Sequence, residues 1–257
     1  YAKGLSEGVP IPWADRKPNP NLIELFAQAS GLPSAGRALK VGCGLGDDAE
    51  WLSGKGFDVT AFDIAASAIA ECRRRFPKSR VDYIAADLFR APASWRRAFP
   101  LVLEAYTLQV LPPELREEAT ERIAGFVAPG GCLLVISRAR GEEDPRGSMP
   151  WPLTQAEVRR FLEFGFTETR FDDFVDIAFG SSNVGIGEFL LVLLDFEQAH
   201  GFRILGFHDF FPENDIGCPF RPHDGDFGCR PCENKVSPQV ARVHGDIASA
   251  IGFAQDD

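Results

Sequence analysis

Apolar residues along the first two thirds of the chain alternate between two rhythms. Leu22, Ile23, Leu25 and Phe26 recur at helical spacing, with Pro20-Asn21 before them and Gly31 after, and predict a helix over Asn21–Ala29. A short run, Ala38–Val41, then stops at three glycines. A helix opens at Asp48 and ends by Gly56, Phe57–Phe62 reads as a strand, and Ala66–Phe76 as a helix. Val81–Ala85 and Leu101–Ala105 are further strands. Pro112 and Pro113 can open a helix over Glu114–Phe126, because proline is tolerated in a first turn. Pro129-Gly130-Gly131 predicts a turn into a buried strand, Leu133–Ile136. Thr154 and Glu157 form a capping box ahead of Val158, Phe161 and Leu162, and Thr167–Phe174 closes the series.

Strands separated by helical stretches imply βαβ units and a doubly wound, mostly parallel sheet covered on both faces. In such sheets ligands bind beyond the carboxyl ends of the strands, where the strand order reverses. Chemistry is therefore expected just after Val41, Phe62, Ala86 and Ala105. Gly187–Gln198 can be a last strand or a helix, since its continuous run Leu190–Leu194 has no deciding period.

Charge divides the chain. Residues 181–257 carry 12 acidic and 5 basic residues, all four histidines and three of the six cysteines. We therefore expect a core over residues 1–180 and, over 181–257, the last strand or helix followed by a loop-rich C-terminal extension. The net charge of −10 argues against nucleic acid, whose binding rests on cationic neutralisation of phosphates. No apolar stretch approaches the ~18 residues of a membrane span, and neither a signal segment nor a disulfide scaffold is evident, so a cytoplasmic protein without a membrane partner is expected.

Candidate chemistry begins at Gly42-Cys43-Gly44-Leu45-Gly46, where alternate glycines let the backbone turn tightly and pass close to a ligand. Asp63, 21 residues after Gly42, ends the next strand and suits a pair of ribose hydroxyls. Asp47-Asp48 would repel a pyrophosphate, and the third glycine comes one residue early for a dinucleotide fingerprint, which disfavours a nicotinamide dehydrogenase. A cationic or zwitterionic nucleoside fits better, although an ordinary tight turn would use the same glycines.

These segments resemble class I S-adenosylmethionine-dependent methyltransferases. Val41–Gly46 resembles their first motif, Val59–Ile64 the second, Ala85–Leu88 the third, and Val127–Val135 the late Pro-Gly-Gly strand motif, so the resemblance covers residues 9–174. It implies a seven-stranded Rossmann-like sheet and S-adenosylmethionine as cofactor. Gly42, Gly44 and Gly46 would wrap the amino-acid part, Asp63 would meet the ribose, Ile64 would lie against adenine, and Asp87 and Leu88 would lie at the adenine amino group. A narrower likeness is to the thiopurine and thiol methyltransferase branch. Pro12-Trp13 and Pro18-Asn19-Pro20 are similar to its N-terminal segment and would set Trp13 over the sulfonium, while Glu104-Ala105-Tyr106-Thr107 is similar to an Asp-Tyr-Thr strand end. Glu104 departs from that Asp, and the arginine of some thiopurine enzymes is absent.

The resemblance implies in-line methyl transfer to a small-molecule acceptor, most simply a thiol. Tyr106 would orient the nucleophile, and Glu104 would accept a proton or pair with the cofactor's ammonium. Alternatively, Tyr106 is a core aromatic and Glu104 an exposed or salt-bridged carboxylate. An O- or N-methyltransferase and a cofactor-binding regulatory module without turnover remain open. Cys43, Cys72 and Cys132 read as small buried hydrophobes. In the extension, Cys218, Cys229 and Cys232 with His223 offer a four-ligand set for zinc; a disulfide or packing on a neighbouring chain would equally organise it.

Overall fold

Seven strands form one sheet in the computed structural model, which describes residues 16–28, 31–176 and 187–196. The strands are β1 (Gly36–Val41), β2 (Phe57–Asp63), β3 (Asp82–Ala85), β4 (Phe99–Ala105), β5 (Val127–Ala139), β6 (Phe166–Asp176) and β7 (Gly187–Phe196). Their order is β3-β2-β1-β4-β5-β7-β6, parallel through β5, with β7 antiparallel to both β5 and β6. The order reverses between β1 and β4, and the glycine turn and Tyr106 follow the carboxyl ends of these two strands. The helices are α1 (Pro20–Gln28), α2 (Asp47–Gly54), α3 (Ala66–Arg75), α4 (Pro113–Phe126) and α5 (Gln155–Arg159).

Both faces of the parallel strands are buried, which is why their sequences read as apolar runs. On one face Ala38, Val59, Ala61 and Leu103 pack under α1, α2 and α3 through Leu22, Leu25, Ala49, Leu52 and Ile69. On the other, Leu39, Val41, Val102 and Val135 meet α4 and α5 through Ala119, Ile123 and Val158. Trp95 lies at the centre of that second layer, edge-on to Phe99 and Phe126 and tilted against Phe62. Each such ring contributes about 1.5–3 kcal/mol by leaving water.

Two features depart from the sequence expectations, and one that the sequence left open is decided by the structure. Strand β5 starts at Val127, not Leu133, because Pro129-Gly130-Gly131 is a bulge inside the strand and not a turn before it. The pairing steps from Phe99↔Val127 to Leu101↔Cys132. Pro100, which has no N–H to give, sits at that irregularity, and a Cβ on Gly131 would lie 2.8 Å from the Pro100 carbonyl oxygen. The segment around Leu190–Leu194 is a strand, and it enters the sheet between β5 and β6. Helix α5 is a single turn that passes into a 3₁₀ turn, Arg160–Phe164, and stops at Gly165 (φ 85°). Its capping box forms as expected: Glu157 N–H donates to Thr154 Oγ1 at 3.1 Å and Thr154 N–H to Glu157 Oε2 at 2.9 Å. Among the described residues no helix is long and apolar enough to cross a membrane.

Candidate active site

The glycine turn leaves β1 with Gly42, Gly44 and Gly46 all at positive φ (55°, 56° and 88°), a conformation closed to most side chains. At two of the three the protein itself leaves no room for a side chain. A Cβ on Gly42 would clash with the Thr107 side chain, and one on Gly46 would lie 2.5 Å from the Tyr83 hydroxyl and 3.1 Å from Cys72 Sγ. At Gly44 the peptide N–H donates to Asp63 Oδ2 at 2.9 Å, while Ala65 N–H donates to Oδ1 at 2.9 Å. Asp63 is therefore rigidly aimed at the turn and only 7% exposed. Burial raises its pKa, opposed by the two backbone N–H groups and by the Lys40 charge.

Lys40 was hidden inside the apolar run Ala38–Val41. It is 2% exposed, and its Nζ donates to the carbonyls of Val41 (2.8 Å) and Gly42 (3.3 Å), so the turn is held from behind by a buried cation. Its field reaches both Asp63 and Glu104 and lowers the pKa of each. The signal was a charged residue at a central position of a strand, which is rarely buried unless partnered.

Asp47 and Asp48, expected to repel an anion, are already engaged. Arg75 grips Asp47 through two bonds of 2.8 and 2.7 Å and also reaches the Leu45 carbonyl, while Asp48 Oδ1 accepts from Asn19 N–H at 2.8 Å. They fasten α2 to α3 and to the start of α1, so their charge is largely spent on structure.

Glu104 is neither exposed nor salt-bridged, which corrects the alternative raised for it. It is 0% exposed, and its Oε1 accepts from Thr107 N–H (2.7 Å) and Leu108 N–H (2.9 Å). Its Oε2 is buried without a hydrogen-bond partner. Burial raises its pKa, more than the two N–H donors and Lys40 offset. Tyr106 sits in the turn that Glu104 closes, at φ 64°, an outlier for a bulky residue. Its N–H donates to the Ile136 carbonyl at 2.9 Å, and Thr107 Oγ1 donates to the Val41 carbonyl at 3.2 Å. The turn carrying Tyr106 is thereby stitched to the glycine turn. Tyr106 is half-buried and packs partly against the α1–α3 side.

On the β2–β3 side, Ile64 stands 54% exposed directly after Asp63, an apolar surface that a planar base would cover. Asp87 Oδ1 accepts from Phe89 N–H at 2.9 Å, and Leu88 turns its side chain into the core. The structure thus brings Gly44, Asp63, Ile64 and Asp87 to the carboxyl ends of β1, β2 and β3, at the same edge of the sheet that Tyr106 occupies after β4. Trp13 and the proposed zinc ligands Cys218, Cys229, Cys232 and His223 lie outside the described residues. Among the described residues no group of three or more His, Cys, Asp or Glu side chains could hold a metal.

This strand order, with an acidic residue ending β2 opposite a glycine turn after β1, defines the class I S-adenosylmethionine-dependent methyltransferase fold. The residues fit that cofactor: an aimed carboxylate for the ribose and an open apolar side chain beside it. Residues 38–131 match the family described as methyltransferase domain, and the chain carries such a domain. It is 32% identical over 165 residues to the ribosomal RNA small subunit methyltransferase C of Chromohalobacter salexigens, covering 58% of this chain and 46% of that protein. It is 27% identical over 157 residues to the probable thiol methyltransferase 2 of Arabidopsis thaliana, covering 59% and 66%. Among solved structures, the Burkholderia thailandensis 1,6-didemethyltoxoflavin-N1-methyltransferase bound to S-adenosylhomocysteine superposes with a TM-score of 0.58 at 19% identity, covering 76% of this chain and 85% of that one. The chain spans about half to two thirds of the length of these two curated relatives.

Proposed function

We propose that this chain transfers the methyl group of S-adenosylmethionine to a small-molecule acceptor at sulfur, a thiol or similar soft nucleophile. The observation that carries this reading is the Tyr106 turn, held at positive φ beside the glycine turn at the point where the strand order reverses. The likeness of Glu104-Ala105-Tyr106-Thr107 to a thiol-methyltransferase strand end, and the similarity to a probable thiol methyltransferase of Arabidopsis thaliana, favour sulfur over oxygen or nitrogen. The ribosomal RNA relative raises a nucleic-acid acceptor, but a net charge of −10 opposes a phosphate backbone.

The cofactor supplies an activated methyl on a sulfonium, so the protein's work is positioning. Asp63 and Gly44 set the nucleoside, with Ile64 and Asp87 on the adenine side. The Tyr106 hydroxyl orients the incoming nucleophile, and a thiol, with a free pKa near ~8.5, needs little help to ionise. Glu104 does not take that proton: it is sealed from the site, and its Oε1 is committed to two backbone N–H groups. Its part is to fix the turn.

Calorimetric titration with S-adenosylmethionine followed by a methyl-transfer panel tests the reading. Micromolar binding that weakens by about tenfold or more in Asp63→Ala is expected from loss of a double hydrogen-bond acceptor. Thiols should be methylated in preference to phenols, acids and amines. Turnover of phenols or amines alone would make this an O- or N-methyltransferase, and binding without any turnover a regulatory module. Metal analysis addresses the extension: near-stoichiometric zinc, lost when Cys229 and Cys232 become serine, is expected if Cys218, Cys229, Cys232 and His223 are ligands.

A further inference from the structure

A cavity of about 330 Å³ lies between α4, the segment 140–156 that leads into α5, and the 3₁₀ turn after it. Four arginines line it (Arg116, Arg140, Arg146, Arg160) against two carboxylates, Glu142 and Glu157. A surplus of two positive charges inside a concavity is unexpected in a chain of net charge −10.

The partners account for part of that charge. Glu157 is shared: Arg116 Nη1 bonds its Oε1 at 2.7 Å and Arg140 Nη2 its Oε2 at 3.2 Å, so two guanidiniums face one carboxylate. Arg116 is 5% exposed and anchored further by the Leu111 and Trp151 carbonyls, while Arg140 is tied to the carbonyls of Gly141, Asp144 and Pro152. Arg160 has Glu117 at 3.3 Å, and Glu142 accepts from Ala156 N–H. Among the described residues Arg146 has no hydrogen-bond or ion-pair partner. Burial lowers the pKa of Arg116, and the charges of Arg146 and Arg140 push it the same way despite Glu157, so like charges face one another here. The pairing explains how the 140–156 segment is fastened to α4. It leaves the excess charge without a function.

We propose that this cavity binds a small oxoanion, the carboxylate or phosphate group of a small molecule, held by Arg146 and Arg140 above a floor of Arg116 and Glu157. Carbonyls and Glu157 have already fixed Arg116 and Arg140, so little side-chain freedom is lost when an anion arrives. Planar guanidiniums suit both carboxylate and phosphate geometry. The proposal makes this site distinct from the methyl-transfer centre: Leu108, which lines the cavity, follows the Tyr106 turn but packs in the α4-side layer, whereas Tyr106 packs against the α1–α3 side.

Titration of the whole chain with inorganic phosphate and, separately, with acetate and succinate, followed by calorimetry and thermal shift at low ionic strength, tests this. Binding in the millimolar range or tighter is expected, weakening as salt is added. Arg146→Gln, which removes a side chain with no partner and should leave the fold intact, should weaken it about tenfold, the value of one charge-assisted contact. Arg140→Gln should weaken it as well, and S-adenosylmethionine affinity should stay unchanged in both variants and in saturating anion. The phosphate and carboxylate arms tell which group the site prefers. Three results would overturn the proposal: no binding by folded protein, binding that survives both substitutions, or displacement of S-adenosylmethionine by the anion.

Discussion

Replacing Glu104 separates two things its side chain does. In Glu104→Ala the N–H groups of Thr107 and Leu108 lose their common acceptor. Both belong to a segment packed between β4 and α4, and a buried donor left without a partner costs about 1–3 kcal/mol. The sum is about 2–6 kcal/mol, reduced because a poorly solvated carboxyl disappears too; about 3 kcal/mol of net loss in urea unfolding is the expected result. Tyr106 would then relax from φ 64°, and methyl transfer should fall more steeply than cofactor affinity. Glu104→Gln keeps the acceptor oxygen, so its stability and activity at neutral pH should match or exceed the wild type. The pH dependence has a definite sign. The folded-state pKa lies above the ordinary value of 4.5, so between the two values the native state holds a proton that the unfolded chain has released. The contribution of Glu104 is thus fully present below 4.5 and is lost as pH rises through the folded-state pKa. Asp63 acts in the same direction, and the difference between wild type and Glu104→Gln isolates Glu104. Glu104→Gln falling as far as Glu104→Ala would refute the acceptor role, and a difference curve flat with pH would refute the raised pKa of Glu104.

Two further outcomes follow from the turn. Gly46→Ala should cost about 2–4 kcal/mol, combining a left-handed backbone with a Cβ 2.5 Å from the Tyr83 hydroxyl. Tyr83→Phe alone gives up its 2.8 Å bond to Glu50 at about 1 kcal/mol, yet it should soften the Gly46→Ala penalty, so urea unfolding of the double variant should show less than the sum. Alkylation of native protein mapped by peptide mass spectrometry should miss Cys43, Cys72 and Cys132, all buried. The Cys43 thiol is pushed up by its hydrogen bond with Cys72 and by burial, and burial pushes Cys132 to about 12. Labelling of any of the three at pH 8 without unfolding would contradict the packing of this sheet.

The alternation of strands and helices was legible because parallel strands buried on both faces announce themselves as apolar runs. Where the physics is local, the reading held: the Thr154–Glu157 box and the proline entry to α4 are decided within a few residues. It failed where a distant partner decides. Pro129-Gly130-Gly131 resembles a turn until β4 pairs across it; Leu190–Leu194 stayed open between strand and helix, and pairing with β5 and β6 decides it for a strand. The site divides in the same way. Asp63 was found from its spacing to the glycines, whereas Lys40 and the burial of Glu104 depend on three-dimensional packing that sequence order does not display. That Gly42 and Gly46 answer to Thr107 and Tyr83 was equally invisible, since those contacts span 65 and 37 positions. The cluster of Arg116, Arg140 and Glu157 joins three separate segments, and each alone looks like a solvated surface charge.

Among the described residues strand β6 has one sheet neighbour, β7, and β7 also closes the other side of β5. A chain cut anywhere before Gly187 would therefore lose more than its last strand. It would shed β6 from the sheet and leave β5, with its run of apolar residues, presenting an unpaired edge. During synthesis the same edge stays open until β7 has emerged, so the parallel half must wait with an adhesive border exposed. The last described strand ends at Phe196, and a fragment intended for expression or crystallisation should reach that residue or beyond.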